Sequence, residues 1–475
     1  MNSYPCPESV FRYFDEIARI PHGSGNTAGI RKWALETAAQ LGVEAYADDA
    51  GNVILKKPAS AGYESHPGVI LQGHLDMVCA KLPDCRKNMD TEGLDLVWNE
   101  DFLSANGTTL GGDDGIAIAY AFAVMESNGI AHPPLTVILT VDEETGMDGA
   151  AALSPDALRG SYLLNLDSEE EGIFTVGCAG GVRSHLTYPV SMTPQKGTRI
   201  SFALSGLTGG HSGSEIHRNL LNANVTMLQL LRTLDAEIML TEFSGGVRDN
   251  VIPTECIVRF LADPKDDRKM IQAAEQYLVR LRAEHPEEPG ISLEITVESD
   301  FSADAVPAGD SARLLACLDL LPNGVQEMNY VLHMPQTSLN LGIFRLDEAG
   351  MHVDALLRSG FNSEKNALAA KLRKLAEQAG GSVSESGSYP AWEYLPGTEL
   401  EKIAVRVFTE QYGKAPVIQT IHAGLECGIL AAKAPSMQCL SIGPDLFDIH
   451  TPRERLSLAS AARVWEFLMR LLAAL

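Results

Sequence analysis

The sequence is poor in positive charge: Lys and Arg number 37 against 62 Asp and Glu, a formal charge of −25 over 475 residues. Nucleic acids and anionic membranes are held by basic patches, so neither is an expected partner. Long apolar runs are missing too, none approaching the roughly 20 residues of a membrane helix. The start, MNSYPCPESVFRYFDEIARIPHGSGN, has no basic segment followed by an apolar stretch, so no secretory leader is expected. Cysteine is sparse and scattered: Cys6, Cys79, Cys85, Cys178, Cys256, Cys317, Cys427 and Cys439 form no CxxC pair and no dense framework. That excludes a small disulfide scaffold and favours reduced thiols in the cytoplasm. Internal repeats and low-complexity tracts are also absent. These absences narrow partners and compartment but name no activity.

What is present reads as globular. Hydrophobic residues make up 45% and charged residues 21%, which argues against disorder. The chain is too long for one ordinary core, so two domains are expected. Val10, Phe11, Phe14, Ile17 and Ala18 recur at helical spacing, and a second helix is expected over Thr27 to Leu41. Val69 to Leu71, Thr136 to Val141 and Tyr162 to Leu166 read as strands, with a buried helix over Ile116 to Met125. Strands separated by helices predict an α/β sheet that is mainly parallel.

After about Gly181 the texture changes. Strand-like runs at Arg199 to Leu204, Cys256 to Leu261, Ser292 to Val297 and Leu339 to Phe344 alternate with helical patterns at Asn219 to Leu234, Arg268 to Arg282 and Glu364 to Gly380. From roughly Trp392 the α/β texture resumes, with helices at Leu400 to Tyr412 and Leu425 to Ala432, a strand at Met437 to Ile442 and a last helix from Ser457. The simplest organisation is an α/β domain made of residues 1–182 and 392–475, its mostly parallel central sheet flanked by helices. An inserted α+β domain, residues 183–391, interrupts it.

Ligands of open α/β sheets bind beyond the carboxyl ends of the strands. Three strand-like runs here end in acids. The first leads into Gln72-Gly73-His74-Leu75-Asp76, where His74 and Asp76 point to one side of an extended chain. The second leads into Asp142-Glu143-Glu144 and the third into Asp167-Ser168. Between the first two lies Gly111-Gly112-Asp113-Asp114-Gly115, a tight acidic entry to the buried helix. A single His-x-Asp is weak evidence; a second one, His352-Val-Asp354, reads as an ordinary strand. Glu169-Glu170-Glu171 and Glu287-Glu288 read as solvated faces. The combination at three strand ends is what carries weight. Imidazole plus carboxylates is a ligand set for zinc, manganese or cobalt, and clustered carboxylates repel one another unless a cation sits among them.

GHLDMV, LGGDDG, TVDEETGMDGA, LLNLDSEE and DIHTPRERLSL, in that order, resemble the M20 family of dinuclear zinc peptidases. IPHGSGN, GLTGGHSGSEIHRNLLNA, RDNVIPTE, TSLNLG and IHAGLECGIL point to its aminoacyl-histidine dipeptidase branch. The resemblance covers nearly the whole chain. It implies that His74 and Asp167 bind one zinc, Glu144 and His450 the other, and Asp113 both. Two dications set against three carboxylates and a hydroxide would make the site nearly neutral. Glu143 becomes the general base, Asp76 the residue that orients His74, and Asp113-Asp114 a cis peptide. The loop departs from the branch pattern by carrying Asp114 where Asn is usual.

The resemblance makes the inserted domain a lid. His211 would then stabilise the oxyanion, with Asn250 and Arg358 contacting the substrate; a guanidinium suits a free carboxylate. His422 and Glu426 would line the pocket, Glu426 facing the substrate ammonium. His22, His217, His333 and His352 have no assigned role. The implied activity is hydrolysis of L-dipeptides, Xaa-His dipeptides included, in a cytoplasmic homodimer paired through the lid. A tripeptidase, an aminoacylase or deacylase, and a non-catalytic peptide-binding protein are the alternatives.

Overall fold

The computed structural model describes residues 4–475, and they form two compact units. One unit comprises the chain up to Cys178 with Tyr394–Thr420 and Leu425–Leu475; the other comprises Ala179–Glu393 and Ile421–Gly424. The boundaries lie a few residues from 182 and 392, and the short return 421–424 joins the second unit instead of the first.

The first unit is built on an eight-stranded sheet. In spatial order its strands are Glu44–Ala47, Val53–Lys57, Leu135–Thr140, Val69–His74, Tyr162–Asn165, Gln438–Ser441, Ile173–Cys178 and Val417–Ile421. Only the four middle strands are parallel to one another. The pairs of Glu44–Ala47 with Val53–Lys57, Val53–Lys57 with Leu135–Thr140 and Gln438–Ser441 with Ile173–Cys178 are antiparallel, so the sheet is mixed around a parallel centre. The physical reason is connection length: residues 48–52 join the first two strands, too few for the crossover that a parallel pair needs.

Val69–His74 is buried along its whole length, as a strand covered on both faces should be. The helix Gly112–Glu126 is interrupted by non-helical backbone at Asp113 and Asp114; from Gly115 to Met125 it is apolar all round and buried accordingly. Against it packs the amphipathic helix Glu8–Ala18, which buries Val10, Phe11, Phe14 and Ile17. The carboxyl-terminal return completes the same core, where Phe408 meets Phe174 and Phe467 at ring distances of 5.4 and 5.5 Å. Among the described residues no helix is long and apolar enough to cross a membrane.

The second unit holds a nine-stranded sheet whose neighbouring strands are all antiparallel. The helices Ala223–Arg232, Asp267–Glu284, Ala308–Asp319 and Asn362–Gln378 bury Met227, Met270, Leu314 and Leu372 in its core. The helix expected from Asn219 begins only at Ala223, because the Asn222 side chain accepts from the backbone N–H groups of Asn224 and Val225 and caps it there. His352 and Asp354 lie in the strand Gly350–Ser359, and Asp354 pairs with His185 at 2.7 Å. Glu288 is not solvated: it is buried and accepts from the Thr208 backbone N–H at 2.7 Å.

Candidate metal centre

The parallel strands of the first unit deliver the candidate residues to one place. His74 ends its strand with its side chain buried. Its Nδ1 lies 2.9 Å from the backbone carbonyl of Asp76 and donates to it, so Nε2 is the nitrogen that faces the acids and could bind a metal. That Nε2 lies 3.0 Å from Asp113 Oδ1 and 3.5 Å from Asp167 Oδ1. His450 repeats the arrangement on the other side, its Nε2 3.0 Å from Asp113 Oδ2 and 3.1 Å from Glu144 Oε1. Asp113 therefore gives one oxygen to each imidazole, and each imidazole has a second carboxylate of its own. The Asp113-Asp114 peptide is cis. His450 and Asp142 adopt left-handed backbone at φ 60° and 55°, a conformation a non-glycine residue holds only where its surroundings impose it.

The electrostatics suit a cation. Burial works to raise the Asp113 carboxyl, but hydrogen bonds with His450 and His74 hold it well below the usual range. Burial works to lower His74, and its contacts with Asp113, Asp167 and Asp76 override that and raise it well above an ordinary imidazole. His450 is pushed up to about 11 by Asp113 and Glu144. Asp167 is pushed up to about 6, chiefly by burial. Among the described residues no Lys or Arg pairs with Asp113, Glu143, Glu144 or Asp167, so the imidazoles are the only counter-charges in contact. Glu144 Oε1 is buried and makes no hydrogen bond despite the nearby imidazole. An orphaned carboxylate oxygen in a nest of acids and imidazoles is what a bound dication would satisfy. Ligand atoms of His74, Asp113 and Glu144 lie within 4.8 Å of one another, as do those of His74, Asp114 and Asp167.

Asp114 has a different position from its neighbour. It is buried, and its Oδ2 accepts from the backbone N–H of His74 at 3.1 Å. Gly73 makes the approach possible, since a Cβ there would stand 2.4 Å from that oxygen. Burial and the Asp167 charge push the Asp114 carboxyl well above the usual range.

Glu143 opens a short helix, Glu143–Gly146, beside ligand candidate Glu144. Burial, then the charges of Asp167, Glu426 and Glu144, raise its carboxyl well above normal. The Asp76 carboxylate supports this helix more than it supports the His74 ring. Its oxygens accept from the N–H groups of Glu143 at 3.0 Å and Glu144 at 3.3 Å and from Ser24 Oγ at 2.8 Å, whereas His74 Nδ1 is 3.5 Å away.

Glu426 lies in the layer beneath. One of its oxygens accepts from Gln72 at 2.5 Å and Thr140 at 2.6 Å, and the carboxyl has no accessible surface. Burial raises it to about 7. Enclosed in this way, it does not present itself to a substrate ammonium in this conformation, contrary to the role the resemblance offers. Sequence reasoning passes over several neighbours. Glu169 and Glu171 do not form a solvated run: burial and Asp113 push Glu169 up to about 8, and Glu171 holds Arg463 and Tyr412. Glu454 grips the backbone of the Gly111-Gly112 loop. Ser24, in the IPHGSGN motif, is marked only by that motif.

The second unit gathers its own candidates. His211 pairs with Val251 in a short ladder beside Asn250, whose carbonyl accepts from the Ser212 N–H at 2.9 Å. His211 Nδ1 accepts from the Ser214 N–H at 3.2 Å, which places the proton on Nε2. Burial and the Arg358 charge lower the His211 imidazole and bring His422 down to about 3. His422 Nε2 lies 2.7 Å from Ser338 Oγ. Arg358 is buried, bonded to Tyr389 Oη at 2.9 Å, with Nε unpartnered and, among the described residues, no carboxylate paired to it. A buried guanidinium without a counter-ion is costly, and a carboxylate ligand would satisfy it.

Comparison with known proteins follows the same lines. The model of peptidase family M20/M25/M40 matches residues 70–474. The cytosol non-specific dipeptidase of Escherichia coli is 33% identical over 98% of this chain and 97% of its own length. The crystal structure of aminoacylhistidine dipeptidase from Vibrio alginolyticus superposes with a TM-score of 0.87 at 34% identity, covering 99% of this chain and 97% of that one. An aminopeptidase from Bacillus cereus shares the fold, with a TM-score of 0.56 at 17% identity over 98% of both chains.

Proposed function

The chain belongs to peptidase family M20/M25/M40, and from that membership we propose that it is a metal-dependent dipeptidase with Glu143 as general base. The observation that carries the reading is Asp113, one carboxylate shared between two imidazoles that each have a further acid. The dipeptidase of Escherichia coli and the aminoacylhistidine dipeptidase of Vibrio alginolyticus support dipeptides as substrates, Xaa-His dipeptides among them.

In this proposal His74 and Asp167 would hold one ion, His450 and Glu144 the other, and Asp113 would serve both. Zinc is the proposed metal; manganese and cobalt accept the same ligands. Two such ions, when bound, lower the pKa of a water molecule and polarise the scissile carbonyl. Glu143 takes the proton of the attacking water on a carboxylate oxygen and returns it to the departing amine. Asp76 holds the backbone of Glu143 and Glu144, which fixes the base relative to its neighbour. His211, with its proton on Nε2, donates to the substrate carbonyl oxygen as charge builds there. Arg358 takes the free carboxylate of the dipeptide, and Asn250 and His422 are assigned to the substrate pocket. A cytoplasmic homodimer formed through the second unit belongs to the same reading.

The test is a substrate panel on protein stripped of metal and reloaded with zinc, manganese or cobalt. Turnover confined to dipeptides with free amine and carboxylate is expected. Faster cleavage of tripeptides or of acetylated amino acids would replace the reading with a tripeptidase or a deacylase. Peptide binding without turnover under every metal would leave a binding protein.

A further inference from the structure

Glu454 lies four positions beyond His450, at the entry to the strand Arg455–Ser457, and is buried. Its Oε2 accepts from the backbone N–H of Leu110 at 2.8 Å and of Gly111 at 3.2 Å. Its Oε1 accepts from Gly112 at 2.7 Å and from Asp113 at 3.3 Å. One carboxylate thus takes up consecutive amides that lead directly into the shared Asp113. The close approach needs glycine at 112, where a Cβ would stand 3.2 Å from Glu454 Oε1 and 2.6 Å from Leu446 Cδ2.

We propose that Glu454 is a positioning residue of the metal centre, fastening the segment that carries His450 to the loop that carries Asp113. The inference rests on the reading of that centre as a metal site. Buried backbone amides need acceptors, and these lie at or ahead of a break at Asp113 and Asp114, whose backbone is non-helical, so the helix that follows does not supply them. A water molecule could satisfy single amides, but only a side chain anchored near His450 links the two segments. The distance between His450 Nε2 and Asp113 Oδ2 is then set by Glu454, not left to two independent loops. Groups that orient ligands in this way change metal affinity by about 10- to 100-fold when replaced.

The experiment is titration of apo-protein with cobalt(II) in competition with a chromophoric chelator, following the visible cobalt spectrum, on the parent, Glu454→Gln and Glu454→Asp. Gln turns an amide group toward N–H donors; Asp keeps the charge but is a methylene shorter. Glu454→Gln is expected to bind one cobalt at least about 10-fold more weakly with an altered spectrum. Glu454→Asp should fall between it and the parent, and reloaded variants should lose kcat with little change in KM. A Glu454→Gln protein that binds both ions as the parent does, with the parent spectrum, overturns the proposal alone. If that variant does not fold, the same comparison on Glu454→Asp decides, and parent-like affinity and spectrum overturn it. A parent protein that takes up no cobalt overturns the metal reading and this proposal with it.

Discussion

Asp113 and Asp114 are adjacent acids with different work. Asp113 spreads its oxygens between two imidazoles, whereas Asp114 gives one oxygen to the backbone N–H of His74. The amide oxygen of Asn would accept that bond equally well. Asp114→Asn is therefore expected to keep both metals and most of the turnover, while Asp113→Asn should lose metal on elemental analysis. Metal loss from Asp114→Asn would make Asp114 a ligand. Glu143 is tested the other way: Glu143→Ala should stay loaded yet fall by about 10²- to 10⁴-fold in kcat. Substantial activity in loaded Glu143→Ala protein would remove it as the base. In the second unit burial, then the charges of Arg358 and His217, bring the His422 imidazole down to about 3. In the unfolded chain an imidazole takes its proton near 6.5, so between these values the unfolded state holds the extra proton and acid favours it. His422 thus costs nothing above about pH 6.5 and on the order of 3 kcal/mol at pH 4. Denaturant titrations at pH 7 and 4 should show a smaller acid loss in His422→Gln than in the parent; equal losses would refute the buried neutral imidazole.

The short helix Glu143–Gly146 (EETG) packs no apolar side chain into a core of its own. What holds it is Asp76, which in turn receives Ser24 Oγ. Ser24→Ala removes one hydrogen bond and should cost about 1 kcal/mol of stability, with a lower kcat at unchanged KM as the base loosens. Unchanged kcat would mean that Asp76 holds the helix without help. Elements like this one are hard to see in the sequence, where the strands of the centre are easy. Val69–His74 and Leu135–Thr140 are apolar runs buried on both faces, so composition marks them. Ser382–Tyr389 reads SVSESGSY and is exposed along most of its length; only pairing with Gly180–Tyr188 makes it a strand. The same contrast holds at the site. His74, Asp113, Glu144 and Asp167 stand at strand ends and a glycine turn, positions that sequence pattern marks. His450 comes from a motif alone. Glu454 and Ser24 act through backbone amides or on another carboxylate, and no residue pattern announces a partner of that kind.

The formal charge of the chain is −25, and a buried cluster of its acids belongs to one unit. Asp113, Asp114, Glu143, Glu144, Asp167 and Glu169 all lie in the first unit, and burial together with mutual repulsion raises several of them. A dication relieves that repulsion only in the folded state, because the ligands come from segments as far apart as His74 and His450 and the unfolded chain does not assemble them. Binding to the folded form alone stabilises it by about 2.7 kcal/mol at a free metal concentration about a hundred times Kd. The second unit has its own core and supplies none of these ligands. Chelation is therefore expected to lower the melting transition of the first unit and leave that of the second where it was. Calorimetry with and without chelator measures this, and hydrogen exchange at Met227 and Leu372 against Ile70 and Leu139 assigns the transitions. Two transitions that both hold still on chelation would mean that the acid cluster binds no metal tightly enough to matter. A single transition that moves as a whole would show that the two cores unfold together, with the metal centre setting the stability of both.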